Sequence, residues 1–156
     1  RLKEKQKLMF HYGLREEQLR RLVRLSKKGG TKNWMPKLIG ILESRLDNVI
    51  FRLGFAGSIA SARQLVTHGK VLVNGKKTTI PSLVVAKGSE IKLTPKAYEG
   101  QIYQYSIKQP RLMLPDWLEY TSEGEHKVGK LRITPDDQDI PFPFQQRLVV
   151  EFYSSI

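Results

Sequence analysis

Residues 45–81, RLDNVIFRLGFAGSIASARQLVTHGKVLVNGKKTTIP, constrain this chain more than any other stretch. Two helical patterns follow one another, and a glycine stands just past the end of each. Leu46, Val49 and Leu53 lead to Gly54, and Ile59, Ala62, Leu65 and Val66 lead to Gly69. Ser58 is placed to cap the second helix. Lys70–Val73 then reads as a strand, Asn74-Gly75 as a two-residue hairpin turn and Lys76–Thr79 as the return strand. Both central positions of such a turn need positive φ, and Asn-Gly meets that need best. Two short helices and a hairpin within this length make a small rigid platform. Basic and amide side chains remain at every junction, which gives the platform a polar, positive face suited to an RNA backbone.

The charge distribution points the same way. The 156 residues carry a net charge of +12. Residues 1–78 hold 18 Lys/Arg against 5 Asp/Glu, whereas residues 79–156 hold 9 against 10. A surplus confined to one half favours a polyanionic partner, because neutralising phosphates releases counterions. At 40% hydrophobic, the chain has the material for a core. There are no cysteines, which excludes disulfides, thiolate catalysis and Cys-ligated zinc for these residues. No apolar run approaches the ~20 residues that cross a bilayer, so no membrane partner is expected. The opening residues lack the apolar core of a signal peptide. They begin without Met in a helix-like pattern, so a preceding segment is expected.

Outside the central stretch, residues 2–10 predict a helix with Leu2, Gln6 and Met9 on one side, stopped by Gly13. Residues 15–27 predict a clearer one, with Leu19, Leu22 and Val23 inward. On its other faces stand Arg20, Arg21, Arg24, Lys27 and Lys28, with no acid after Glu17. Such like charges repel one another, and an anionic partner relieves the repulsion. Lys28 to Thr31 break the chain. Pro36 suits the first turn of a helix whose stripe runs Leu38, Leu42, Leu46, Val49 and Leu53, with Gly40 as a break or a close contact. Arg45, Asn48 and Arg52 share a second stripe. Glu90–Leu93 predicts a strand after a turn at Gly88. Tyr98, Tyr103 and Tyr105 lie in an ambiguous stretch. Pro115–Glu119 resembles a helix start, Val128–Thr134 a strand, Pro135–Pro143 a loop and Phe144–Tyr153 a helix.

Catalytic signatures are missing from the sequence. There is no phosphate-binding glycine loop and no nucleophile elbow. His11, His68 and His126 have no local partner at metal-ligand spacing, and Asp136, Asp137 and Asp139 read as a solvated loop. No metal and no cofactor are expected.

The 45–81 stretch resembles the RNA-binding module named after small-subunit ribosomal protein S-four. ILESRLDNVIFRLGFA, ARQLVTHGKVLVNGKKTTIPS, the opening LKEKQKLMFHYGLREEQLRRL and the ending RLVVEFYSS resemble that ribosomal protein family itself. The likeness covers roughly residues 2–94 and 144–155. Residues 95–143 resemble the family poorly, apart from DWLEY. The resemblance implies an α+β fold, a helical subdomain with an inserted module of two helices and a small antiparallel sheet. The expected divisions are 1–44 helical, 45–94 module, 95–143 a divergent extension, and 144–156 returning to the helical part.

The same resemblance implies a structural, non-enzymatic component of the small ribosomal subunit. It would bind small-subunit rRNA at a multi-helix junction early in assembly and contribute to the mRNA entry region and to translational accuracy. Implied partners are rRNA, mRNA and ribosomal proteins S-five and S-three. The implied location is the ribosome of a bacterial cytoplasm or of an organelle of bacterial descent, a chloroplast ahead of a mitochondrion. Expected rRNA contacts are Lys3, Lys7, Arg20, Arg21, Arg24 and Lys28 in the first helices. In the module they are Arg45, Arg52, Arg63, Gln64, His68, Lys70, Asn74 and Lys76. Val150, Phe152 and Tyr153 are expected at a protein interface.

Two rivals come from the same residues. Pseudouridine synthases carry a catalytic Asp in an Arg-Leu-Asp triplet such as Arg45-Leu46-Asp47. There the Asp belongs to a large domain following the module, and too few residues follow here. Asp47 is therefore expected in a salt bridge or a helix contact. A stand-alone ribosome-rescue factor with this module would lack the VVEFYSS ending.

Overall fold

The computed structural model describes residues 2–30, 32–109, 113–122, 124 and 126–156. Thr31, at the end of the expected glycine break, lies outside them. The chain forms two compact units, Arg1–Glu43 with Pro135–Ile156, and Ser44–Thr134. Residues 135–143, grouped by sequence with the module's extension, fall in the first unit.

The first unit holds α1 (Lys3–Tyr12), α2 (Glu16–Lys27), α3 (Trp34–Ser44, its last residue already in the second unit) and α8 (Gln146–Phe152). Gly13 ends α1 in the left-handed region at φ 65°. The inward face of α1 differs from the expected one. Leu8 and Tyr12 are buried, whereas Gln6 is exposed. Glu4 and Lys5 are buried with them because each finds a distant partner. Gln145 N–H donates to Glu4 at 2.8 Å, and Lys5 Nζ lies 3.1 Å from Glu16. Leu8, Tyr12, Leu19, Val23, Leu38, Leu42, Val149 and Tyr153 form one core. Gly40 is a close contact, not a break: a Cβ there would lie 2.8 Å from the Pro135 carbonyl oxygen.

The long apolar stripe from Leu38 to Leu53 belongs to two helices, α3 and α4 (Leu46–Arg52). The interruption is at Arg45, which is extended (φ −60°, ψ 140°) and bridges to Val84. Leu83 O accepts from Leu46 N–H, and Ser44 O from Val85 N–H, both at 2.8 Å. These bonds replace the helical ones that would have joined α3 to α4.

In the second unit α5 (Ile59–Thr67) packs beside α4. Ser58 caps it, accepting from Ser61 N–H at 3.0 Å, and Gly69 follows at φ 72°. The sheet order is β2-β1-β3-β5-β4, wholly antiparallel. Its strands are β1 (Val71–Val73), β2 (Lys76–Lys77), β3 (Glu90–Leu93), β4 (Leu118–Tyr120) and β5 (Gly129–Leu131). Asn74 and Gly75 turn the hairpin at φ 52° and 81°, as a two-residue turn of this kind requires. The ambiguous stretch is helical, α6 (Pro95–Tyr98) and α7 (Gln101–Ile107). Pro115–Glu119 is not a helix start, because its second half is β4, paired Leu118 to Leu131. Trp117 is fully buried in the core with Leu46, Phe55, Leu65, Ile91 and Tyr103. The α+β architecture is as expected.

Candidate nucleic-acid interface

Helix α2 turns most of its apolar side chains inward and its arginines outward, with Leu25, 46% exposed, on the outward side as well. Leu19, Val23 and Ser26 are buried, and Ser26 Oγ donates to Leu22 O at 2.8 Å. Arg21, Arg24 and Lys28 are exposed and Arg20 is half-buried. The helix's acids, Glu16 and Glu17, sit in its first turn, where they suit the helix dipole and leave the later turns positive. Lys27 departs from the basic stripe. Its ammonium donates to the carbonyls of Tyr153 and Ile156, the latter at 2.7 Å, and lies 5.3 Å from the Trp34 ring centre. Lys7 is also engaged, 3.1 Å from Glu4 and donating to Pro143 O at 3.1 Å, whereas Lys3 is exposed. Glu4 has its carboxyl held below the usual range, chiefly by the Gln145 amide, against the opposing effect of burial and with help from Lys7.

In the second unit one carboxylate organises the arginines. Asp47 is 1% exposed. Arg45 donates from Nε at 3.2 Å and from Nη2 at 3.1 Å, Arg63 donates from Nε at 2.8 Å, and Asn48 N–H at 2.7 Å. Arg45 is only 6% exposed, so its expected place on the module surface is corrected: it is a buried partner of Asp47. Asp47 is thus the salt bridge the sequence suggested, with its carboxylate enclosed by donors. Arg63 shares this carboxylate but keeps 31% of its side chain exposed. Arg52 is half-buried, its guanidinium 6.0 Å from the Trp117 ring centre.

Gln64, His68 and Lys76 are exposed and Lys70 is half-buried, around the end of α5 and the hairpin. Asn74 is an internal clasp: Oδ1 accepts from Glu90 N–H at 2.9 Å and Nδ2 donates to Ser89 Oγ at 3.3 Å. Sequence reasoning left out Lys77, exposed beside Lys76 on the return strand, and Lys92, which the sheet register sets opposite Leu72. Lys77 was legible as the second of a lysine pair. Lys92 needed the β1–β3 register, which no local pattern carries.

Tyr153 is also corrected. It is 1% exposed and belongs to the first unit's core, and burial, aided by the Glu16 charge, pushes its phenol up to about 12. Val150 and Phe152, at 37% and 42% exposed, remain on the outer side of α8. Among the described residues no group of three or more His, Asp or Glu side chains could hold a metal ion, and no helix is long and apolar enough to cross a membrane. The arrangement offers clusters of cations and amides on rigid elements, suited to binding phosphates and sugars.

Comparison with known proteins fits this geometry. The S4 domain family model matches residues 44–91, the stretch from the last residue of α3 into β3. The small ribosomal subunit protein uS4B of Bdellovibrio bacteriovorus is 50% identical over 153 residues, covering 98% of this chain and 74% of that protein. The uS4 protein of Methylobacillus flagellatus is 43% identical over 155 residues, 99% of this chain and 74% of its own length. That of Thermus thermophilus is 42% identical over 156 residues, 99% and 73%. Residues 95–143, expected to diverge, therefore lie inside the match. At such identity over nearly the whole length, this chain belongs to the uS4 family of small ribosomal subunit proteins.

Proposed function

We propose that this protein holds a multi-helix junction of small-subunit rRNA through two basic surfaces, one on each compact unit. As a uS4 family member it is a structural component of the small ribosomal subunit, not an enzyme. The observation that carries the junction reading is the outward set Arg20, Arg21, Arg24 and Lys28 on α2, alongside a separate set at Gln64, His68, Lys70 and Lys76. Arg63 precedes Gln64 on α5 and adds to the second set. Two positive surfaces on rigid elements favour one arrangement of several RNA backbones over others, by binding that arrangement more tightly. Val150 and Phe152 offer α8 to a neighbouring ribosomal protein, S-five in this reading, with S-three and the mRNA entry region as further neighbours. The named relatives are bacterial, which favours a bacterial cytoplasm.

Chemical protection of small-subunit rRNA by the purified chain tests the proposal. Neutralising Arg20, Arg21 and Arg24 should erase one group of protections, and neutralising Lys70 and Lys76 another. Affinity should fall with salt at a log–log slope of magnitude at least ~4, as for roughly six neutralised phosphates. A slope near zero, or protections that all depend on one cluster, would sink it.

A further inference from the structure

Helix α7 has an outward face that the two basic surfaces do not use. Inward, Tyr103 and Ser106 are 0% and 1% exposed, and Ser106 Oγ donates to Gly54 O at 2.8 Å. These contacts fix the rotation of the helix and turn Gln101, Tyr105 and Lys108 outward. Tyr105 is 67% exposed, an aromatic ring that contributes little to the core.

Two open grooves meet along this face. One, of about 500 Å³, is lined by Gln64, His68, Lys70, Lys96, Glu99 and Gln101 among others. The second, of about 610 Å³, is lined by Ser58, Ser61, Gln101, Gln104, Tyr105 and Lys108 among others. Gln101 and Ile102 line both, so the two adjoin there, each with residues of α5 on one side and of α7 on the other. From Ser61 to His68 the α5 wall spans about 10 Å at the helical rise per residue. Cations stand at both ends, Lys70 and Lys96 at one and Lys108 at the other. Glu99 is the carboxylate in the lining, and it lies 3.2 Å from His126 Nε2.

We propose that this trough binds a short unpaired segment of RNA, with a base stacked on Tyr105 and flanking phosphates at Lys108 and at Lys70 and Lys96. The inference rests on the RNA-binding reading above and adds to it a second wall, α6–α7, and a preference for single strands. An exposed ring between lysines and amides has the composition of a single-strand site, since aromatic faces stack on any base while cations follow the backbone. A duplex keeps its bases stacked inside and cannot offer one to Tyr105. Gln101 and Gln64 supply donors and acceptors for the edge of a base or a ribose hydroxyl.

Fluorescence anisotropy with labelled hexauridine tests the trough, with binding to a small-subunit rRNA junction fragment measured in parallel. Tyr105→Ala should weaken hexauridine binding roughly five- to a hundredfold, and Tyr105→Phe, which keeps the ring, should bind like the unaltered chain. Lys96→Ala with Lys108→Ala should lower the log–log salt slope by about 1–2. A blunt RNA duplex should compete poorly. All of these are surface changes, and circular dichroism checks that the fold is kept. If the chain binds the junction but Tyr105→Ala leaves hexauridine affinity unchanged, or hexauridine does not bind, the trough is overturned and the RNA-binding reading stands. If the chain binds neither RNA, both fall. Tyr105→p-benzoylphenylalanine in assembled small subunits should photocross-link to RNA; a cross-link to protein instead would overturn the proposal.

Discussion

Replacing Asp47 by Asn should be among the most damaging single changes in the second unit. The side chain keeps its shape and can still accept from Asn48 N–H, but the negative charge is gone. Arg45, 6% exposed, is then a buried cation without a counter-charge. Breaking a buried ion pair from one side costs about 3–5 kcal/mol. Arg63, with 31% of its side chain exposed, can turn to water, so its share is about 0–1 kcal/mol. The expected loss is therefore about 3–6 kcal/mol for Asp47→Asn and about 0–1 kcal/mol for Arg63→Ala. Replacing both partners, as Arg45→Met with Asp47→Leu, should recover most of the loss, since a well-packed apolar pair avoids the desolvation of two charges. Urea denaturation in a Trp34→Phe background gives the assay, because Trp117 then reports on the second unit. Midpoints should shift with unchanged slope. A cost below about 1 kcal/mol for Asp47→Asn, or an equal cost for Arg63→Ala, would refute the argument that Arg45 burial sets the magnitude.

Three further changes have definite signs. Gly75→Val forces a β-branched residue to φ 81°, at a cost of about 1–3 kcal/mol, and should raise amide exchange at Val73 and Lys76 and weaken RNA binding; unchanged exchange refutes it. Glu4 has its folded pKa lowered from 4.5, so it adds stability above pH 4.5 that is lost as pH falls through the lower folded value. The gap between the unaltered chain and Glu4→Gln in thermal melts should accordingly be larger at neutral pH than under acid conditions, and a gap that widens on acidification contradicts this. Gly40→Ala would gain about 1 kcal/mol of helix propensity, yet its Cβ would meet the Pro135 carbonyl oxygen at 2.8 Å, so a net loss is expected in the melting temperature and a net gain would show the contact to be soft.

Local rules made the central part of this protein legible. Ser58, Gly54, Gly69, Asn74 and Gly75 each act on backbone within a few residues, so their roles could be read in order along the chain. Partners far away in sequence decided the rest. The stripe from Leu38 to Leu53 keeps its period across Arg45, and only the bonds to Leu83 and Val85 show that two helices meet there. Glu4 and Lys5 look like surface residues until Gln145 and Glu16 are placed beside them. For the candidate interface, counting charges singled out residues 1–78 but could not separate Arg24, which faces water, from Lys27, which binds two carbonyls, or from Arg45, which holds Asp47. Sequence pattern says that a cation is present, and packing decides whether it remains available. Tyr105 went unread because the stretch around it carries no clear period.

The core of the first unit joins Leu19, Val23 and Leu42 to Val149 and Tyr153, so it draws on both arms of the polypeptide. During synthesis residues 1–43 leave the ribosomal tunnel first, and the inserted unit, Ser44–Thr134, follows before Pro135–Ile156. The apolar side of α1–α3 meanwhile waits for α8. At roughly 5–20 residues per second the delay is on the order of seconds. For that interval the nascent chain displays a bare apolar surface beside the basic helix α2, open to aggregation and proteolysis until α8 is made.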